Sequence, residues 1–220
     1  PLPIALGGAA FFLVIDLAFF GANVPKIVHG GWFPLAIGLV VFTLLTTWKR
    51  GRKLLLQRMI HDNIDIDTFI EGILAFAHTR VPGTAVFLHA TGKGVPHALL
   101  HNLSHNKVLH ERVVVLTVTT ADTPIVATEK RAHITDLGAG FYRMQLRYGF
   151  REEPNIPEAL AQCSAQGMEF NMMATSFFLS RETIIVTRRH EMALWREKLF
   201  VWMTQNAESA MTFFKLPVNR

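Results

Sequence analysis

The chain has 220 residues, half of them hydrophobic, and its 22 Lys and Arg residues outnumber its 17 Asp and Glu residues. Five of the basic residues and one acidic residue fall within residues 1–53, which leaves residues 54–220 nearly neutral. The excess positive charge is therefore local, and no basic stripe with interleaved aromatic residues indicates a nucleic-acid surface. The single cysteine, Cys163, excludes an internal disulfide and suits a reducing compartment.

Two apolar segments at the start of the chain predict a helical membrane hairpin. Residues 4–22 and 30–48 contain one charged residue between them, Asp16, and each is long enough to cross a hydrocarbon core of about 30 Å as a helix. The short connection contains Pro25, which interrupts a continuous helix. A cleaved signal peptide is a poor alternative, because the apolar run is too long and no basic segment precedes it. We expect a lipid bilayer around residues 1–53.

A basic cluster follows the second apolar segment directly and consists of Lys49, Arg50, Arg52 and Lys53. Such a cluster marks the cytoplasmic end of a membrane helix. We therefore predict that residues 54–220 form a cytoplasmic domain, and that the connection between the two spans lies outside. This part of the chain is long enough for one domain with its own hydrophobic core.

In residues 54–220, strand and helix patterns alternate first, and patterns typical of hairpins follow later in the chain. Helical patterns continue from the membrane over residues 54–60 and recur over residues 64–76, 97–106, 157–163 and 195–210, with Asp62 or Asn63 near the start of the second. Strand patterns occupy residues 84–90, 112–119, 132–137, 141–148, 174–179 and 183–187. Residues 112–119 are apolar on both faces, as in a central strand. Gly138, Ala139 and Gly140 predict a hairpin or a bulged connection. These patterns predict an α/β domain with a mixed sheet, and a last helix that buries Leu199, Trp202 and Met203.

Asp16 is the candidate transport residue. A carboxylate inside a membrane span is costly and usually faces a cavity, a partner or an ion path. One interpretation is a proton or cation relay. The preferred interpretation is that Asp16 pairs with a neighbouring helix or lies close enough to the interface to remain hydrated, because one carboxylate alone makes no binding site.

Gly92, Lys93 and Gly94 form a candidate anion-binding turn. They follow a predicted strand and precede a predicted helix, where a nucleotide phosphate or another anion could meet the helix N-terminus. The segment lacks the spacing of a P-loop and of a dinucleotide fingerprint, so a plain turn is the preferred interpretation. The motif nevertheless supports an alternative function, that of a membrane-tethered nucleotide- or anion-binding sensor.

Histidines at positions 97, 101 and 105 fall on one helix face. Zinc takes three or four nitrogen, sulfur or oxygen ligands, and neither a His-Glu-x-x-His motif nor a pair of cysteines accompanies the stripe. We therefore predict a polar helix face rather than a metal site, and keep a membrane-anchored metalloenzyme as a third alternative. No nucleophile elbow or Ser-His-Asp set is present, so we predict that the chain is not an enzyme and has no cofactor.

Several stretches together resemble the KUP-type potassium uptake permeases over essentially the whole chain. These stretches are residues 16–23, 26–35, 46–52, 101–103, 105–111, 115–117, 147–150 with Pro154, Pro157 and residues 159–160, and then 178–182, 195–200 and 217–220. The resemblance implies secondary transport of K⁺ into the cell, coupled to H⁺, in the bacterial inner (plasma) membrane. It implies that this chain carries the last two membrane helices, that the missing N-terminal transmembrane core is their partner, and that the K⁺ ligands lie there. The cytoplasmic domain would then serve regulation, stabilisation or homodimer contact.

Overall fold

The computed structural model describes residues 2–61, 64–75, 79–92, 94–180 and 191–217. The chain divides into two compact units, Pro1–Arg52 and Lys53–Arg220. The first consists of helices and a connecting turn, and the second contains the sheet.

Helix α1 and the larger part of helix α2 make up the first unit. Helix α1 covers Leu2–Asn23 and α2 covers Trp32–His61; the segments Leu2–Ile27 and Trp32–Arg58 are long and apolar enough to cross a membrane. Pro25 lies in the first turn of a short 3-10 helix, Val24–Ile27, where its missing N–H is tolerated. The structure therefore confirms the two helices of the predicted hairpin.

The turn between α1 and α2 explains why the second helix begins later than residue 30. The N–H groups of His29 and Gly31 both donate to the carbonyl oxygen of Lys26, at 3.1 and 2.9 Å. Gly30 has a φ of +121°, a conformation that suits glycine and interrupts a helix. The second helix consequently begins at Trp32.

Helix α2 continues without a break to His61, which confirms the helical extension predicted for residues 54–60. Helix α3 then covers Ile66–Leu74, and its N-terminus is capped by the Asp65 carboxylate, which accepts hydrogen bonds from the N–H groups of Asp67 and Thr68 at 3.1 and 3.4 Å. The earlier start that the sequence indicated, Asp62 or Asn63, lies outside the described residues, as does the predicted end at Phe76.

The domain is built on a mixed sheet of five described strands, which confirms the predicted fold class. The strands are β1 (Thr79–Leu88), β2 (Val108–Ala121), β3 (Ala132–Gly138), β4 (Phe141–Gly149) and β5 (Thr175–Phe178), and helix α4 (His97–Asn106) joins β1 to β2. Their order is β3-β4-β2-β1-β5; β3 is antiparallel to β4 and all other pairs are parallel. The chain thus places β2 on one side of β1 and β5 on the other.

The hairpin and the central strand lie where the sequence predicts them. β3 and β4 are joined through Gly138, Ala139 and Gly140, which all have positive φ. The central strand β2 is flanked by β1 and β4, and its residues 113–117 are buried. Strand β1 begins at Thr79, five residues before the predicted position 84. The pairing of β1 with β2 includes these extra residues, and its register shifts between Val81 and Thr84, at Pro82 and Gly83. Such a bulge accommodates proline inside a strand.

The core lies on both faces of the sheet, and successive strand residues alternate between the two faces. One face packs Val114, Leu116, Met144 and Leu146 with helix α5 (Ile156–Gln162). The other face packs Val113, Val115 and Phe87 with α3 and α4. Burial on both faces explains why β1 and β2 are continuous apolar runs.

The C-terminal helices differ from the prediction. Helix α6 covers Leu194–Gln205 and a short α7 covers Ala210–Phe213, instead of one helix over residues 195–210. Phe200 is its buried residue at 5% exposure, whereas Trp202 is 60% exposed, so the expectation that Trp202 faces the core was wrong. The helix carries large apolar residues on more than one side, and periodicity alone could not choose between them. The predicted strand at 183–187 lies outside the described residues.

Candidate functional site

The first unit presents an apolar surface. Large side chains along α1 and α2 are exposed; Leu13, Phe19, Phe33 and Phe42, for example, are 57–67% exposed. Exposure of so many large apolar groups is incompatible with water as the surrounding medium. Lipid or further apolar helices must therefore cover these helices in the cell.

Asp16 is the only charged residue in α1. Its side chain is exposed, and within the described part of the chain its carboxylate forms no hydrogen bond or ion pair. Asp16 is therefore on the surface that lipid or other helices must cover, and the described residues contain no second ligand beside it for an ion. The candidate transport role of Asp16 stays a prediction.

The basic cluster is part of helix α2. Lys49, Arg50, Arg52 and Lys53 are all exposed, and they form no ion pairs with the residues that the structure describes. Unpaired positive charges directly after the apolar part of α2 are free to interact with anionic lipid headgroups.

The predicted glycine turn connects β1 to α4. Gly92 and Gly94 both have the left-handed conformation that glycine favours, with φ of +65° and +77°, and Lys93 lies outside the described residues. The N–H of Val95 donates to the carbonyl oxygen of Ile64 at 3.0 Å, which ties the turn to the segment before α3. The strand-turn-helix context predicted for this motif is present, and its anion binding stays a prediction.

Two buried polar residues lie beneath this turn, and the sequence analysis did not single them out. His89 follows β1 directly, and its N–H donates to the carbonyl oxygen of Leu116 in β2 at 2.8 Å. Thr117 is the next residue of β2. His89 and Thr117 are only 9% and 6% exposed, and His89 Nδ1 and Thr117 Oγ1 are buried without a hydrogen-bond partner among the described residues. The signal was a polar residue directly after the apolar run of each of two adjacent strands, His89 after Leu88 and Thr117 after Leu116.

The environment of this corner favours the neutral form of the His89 imidazole. Burial lowers the pKa of His89 below its ordinary value of 6.5, and the nearby His97 lowers it further. The Nε2 atom of His89 lies 3.4 Å from the Thr91 hydroxyl. A neutral imidazole at this position has one N–H group to donate.

The histidine stripe on α4 forms no metal centre within the described ranges. The rings of His101 and His105 stack with their centroids 5.7 Å apart, and no three His, Cys, Asp or Glu residues of the described chain are grouped to hold a metal ion. Cys163 is buried at the end of α5, where burial raises the pKa of its thiol and its Sγ donates to the carbonyl oxygen of Ala159. A thiol in this environment is unreactive.

Each of the two units matches a known protein family. Residues 2–53 match the K⁺ potassium transporter integral membrane domain, and residues 82–220 match the K⁺ potassium transporter C-terminal domain. No solved structure matches the chain.

Curated relatives match over nearly the whole chain. A probable potassium transport system protein Kup 2 from Chromobacterium violaceum is 54% identical over 220 residues, which are 100% of this chain and 35% of that protein. A protein of the same name from Rhizorhabdus wittichii is 55% identical over 96% of this chain and 33% of its own length. A Kup protein from Zymomonas mobilis is 55% identical over 96% of this chain and 32% of its own length. The chain thus spans about a third of the length of these relatives, and it belongs to the KUP-type potassium transporter family.

Proposed function

We propose that this chain supplies two membrane helices and the cytoplasmic domain of a secondary transporter that takes up K⁺. The proposal is carried by the match of both units to potassium transporter domains. The exposed apolar surfaces of α1 and α2 support it, because such helices need lipid or further membrane helices as neighbours. Family membership also favours a transporter over a separate sensor protein or an enzyme.

In the proposed mechanism the hairpin is scaffold. The K⁺ ligands lie on other membrane helices of the transporter, alternating access moves the ion through that core, and H⁺ is the coupling ion. We expect liposomes that contain only residues 1–220 to show no K⁺ flux above that of empty liposomes. Robust K⁺ uptake by such liposomes would contradict the scaffold role.

The transport proposal is tested with the full-length gene product in bacterial cells that lack their own K⁺ uptake systems. We expect growth at low K⁺, and a protonophore that collapses the pH gradient should abolish the K⁺ uptake. Failure to restore growth would contradict K⁺ transport, whereas uptake that survives the protonophore would contradict only the coupling to H⁺.

The proposed location is the bacterial inner membrane, with residues 54–220 in the cytoplasm. The exposed cluster at Lys49, Arg50, Arg52 and Lys53 supports this orientation. Trypsin added to inside-out vesicles should cleave the domain, and trypsin added outside right-side-out vesicles should not. The reverse pattern would contradict the orientation.

We assign the cytoplasmic domain to regulation or assembly, including contact between two copies. Removal of residues 54–220 from the full-length transporter should leave the membrane core inserted but change its K⁺ uptake or its oligomeric state in detergent. Unchanged uptake together with an unchanged oligomeric state would exclude both roles.

A further inference from the structure

Helix α6 exposes its largest side chains instead of burying them. Leu194, Trp195 and Trp202 are 46%, 58% and 60% exposed, whereas Phe200 is 5% exposed. A helix turns by about 100° per residue, so Trp195 and Trp202 project in nearly the same direction and Phe200 lies on the opposite side. One face of α6 therefore presents two tryptophans, about two turns apart, to the surroundings of the domain.

A lysine lies between these two tryptophans on the same face. Lys198 is exposed and forms no ion pair with a described residue. Its position, three residues after Trp195 and four before Trp202, makes it a neighbour of both on the helix surface. Tryptophan is enriched where a membrane meets water, because its ring is apolar and its N–H group remains among polar groups, and lysine extends its ammonium group to the headgroups.

An ion pair holds the start of α6 next to the helix that leaves the membrane. Arg58 Nη2 in α2 lies 3.3 Å from Glu191 Oε1, three residues before α6 begins. Arg58 follows Lys53, the last residue of the basic cluster, by five residues of the same helix, which is about 7.5 Å along its axis. The start of α6 is therefore tied to α2 about one and a half turns beyond the cluster that marks the membrane surface.

We propose that the face of α6 that carries Trp195, Lys198 and Trp202 binds the surface of the bilayer, with both indole rings at the headgroup level and Lys198 beside an anionic phospholipid. Large exposed apolar groups mark a contact surface, and the link to α2 favours lipid over a second copy of the chain as the partner. This contact goes beyond K⁺ transport, but it rests on the proposed membrane location of residues 1–53.

The test uses the complete chain of 220 residues in lipid nanodiscs, with the discs in excess so that each holds no more than one chain. Each of a set of variants keeps a single natural tryptophan, at position 32, 48, 195 or 202, and has phenylalanine at the others. Quenching of the fluorescence by phospholipids brominated near the start of the acyl chain reports contact with lipid, and quenching by iodide reports contact with water. We expect the brominated lipid to quench Trp195 and Trp202, and the bilayer to protect both from iodide.

Trp32 and Trp48 separate this proposal from the membrane location on which it rests. Both belong to the candidate membrane span Trp32–Arg58, so the brominated lipid should quench both. Quenching of these two without quenching of Trp195 and Trp202 would overturn the contact of α6 with lipid and leave the membrane location intact. Protection of Trp195 and Trp202 from both quenchers would also overturn it, because protein would then cover this face. Quenching by the brominated lipid at none of the positions would overturn the membrane location and the proposal together.

A tryptophan elsewhere on the domain is the matched control. Thr135 is exposed on β3, which is an edge strand of the described sheet. Thr135→Trp, in a chain with phenylalanine at all natural tryptophan positions, should be quenched by iodide and not by the brominated lipid. Equal quenching of this tryptophan and of Trp202 by the brominated lipid would overturn the assignment of the contact to α6.

A substitution of Lys198 tests the preference for anionic lipid. In the variant that keeps only Trp202, we expect Lys198→Gln to lower the ratio of lipid-bound to free α6 about fivefold in discs with an anionic phospholipid, and to have little effect in neutral discs. Lys130→Gln is the control, because Lys130 is exposed in the short 3-10 helix Thr128–Lys130, and it should leave the ratio unchanged. Equal quenching of these two variants in anionic discs would overturn the proposed contact of Lys198 with anionic headgroups.

Discussion

Arg131 and Glu152 form an ion pair that joins the start of β3 to the turn after β4. Glu152 also accepts hydrogen bonds from the N–H groups of Gly149 and Val126, at 2.6 and 2.9 Å. Arg131 donates to the carbonyl oxygen of Val126 at 3.0 Å and lies 5.0 Å from the ring centre of Tyr148. One carboxylate thus satisfies two backbone donors and a guanidinium.

We expect Glu152→Ala to lower the free energy of unfolding by about 2–3 kcal/mol, because it leaves a guanidinium and two N–H groups without their acceptor. The side chains of Arg131 and Glu152 are only 17% and 15% exposed, so water cannot fully replace the lost contacts. Denaturant unfolding followed by circular dichroism measures the change.

Glu153→Ala is the matched control: Glu153 pairs with Lys215 on the surface, where its side chain is 84% exposed. We expect that control to change stability far less than Glu152→Ala, because water and salt screen an exposed ion pair. Equal losses in both variants would contradict the assigned role of Glu152.

Gly149 is required by a close approach of two backbone segments. A Cβ at this position would collide with the carbonyl group of Pro124 and the backbone nitrogen of Ile125. Backbone atoms cannot rotate away as a flexible side chain can, so we expect Gly149→Ala to lower the free energy of unfolding by at least about 2 kcal/mol.

Gly72→Ala is the control for this substitution. Gly72 lies in α3 with open space where a Cβ would be, so alanine should raise stability by about 0.5–1 kcal/mol through its higher helix propensity. Chemical denaturation of the two variants should therefore give changes of opposite sign. A stabilising effect of Gly149→Ala would contradict the packing.

The stability of the domain should fall as the pH is lowered through the range in which histidine titrates. Burial lowers the pKa of His89, with a further contribution from His97, and burial also lowers the pKa of His110. The unfolded chain then binds more protons than the folded chain below about pH 6.5, so this contribution is fully present above that pH and is lost as the pH falls through the lowered pKa values.

We expect a smaller loss of stability between about pH 7.5 and pH 5 in His89→Gln than in the parent chain, because glutamine does not titrate. Urea unfolding at several pH values measures the slope. A parent chain that is more stable at pH 5 would contradict the burial of these imidazoles.

The fold could be predicted from the sequence where local pattern and tertiary environment agree. Residues 113–116 are apolar because β1 and β4 flank them and helices cover both faces of the sheet, so the pattern alone identified a central strand. The position of β5 beside β1 could not be predicted, since the order of parallel strands depends on packing between distant segments. The bulge at Pro82 and Gly83 was hidden because proline normally ends a strand pattern.

The candidate site could be predicted only in part for the same reason. The glycine turn has a local signature, and the structure places it between strand and helix as expected. The two buried polar residues near it, His89 and Thr117, lie on neighbouring chain segments because β1 and β2 pair in one particular register. Because these two residues are far apart in the sequence, their proximity cannot be recognised until the pairing of the strands is known.

Asp16 allows a direct test of the membrane assignment of α1. The residue lies near the middle of the apolar segment Leu2–Ile27, where an aspartate costs about 2.5–3.5 kcal/mol of insertion free energy. We therefore expect Asp16→Leu to make insertion of this segment more favourable by about 3 kcal/mol in a translocon-based insertion assay. Asn23→Leu is the control, because Asn23 is the last residue of α1 and lies closer to the interface, so its substitution should have a smaller effect. Equal effects at the two positions would place Asp16 outside the hydrocarbon region. They would also remove the argument that its carboxylate needs a partner helix or a hydrated cavity.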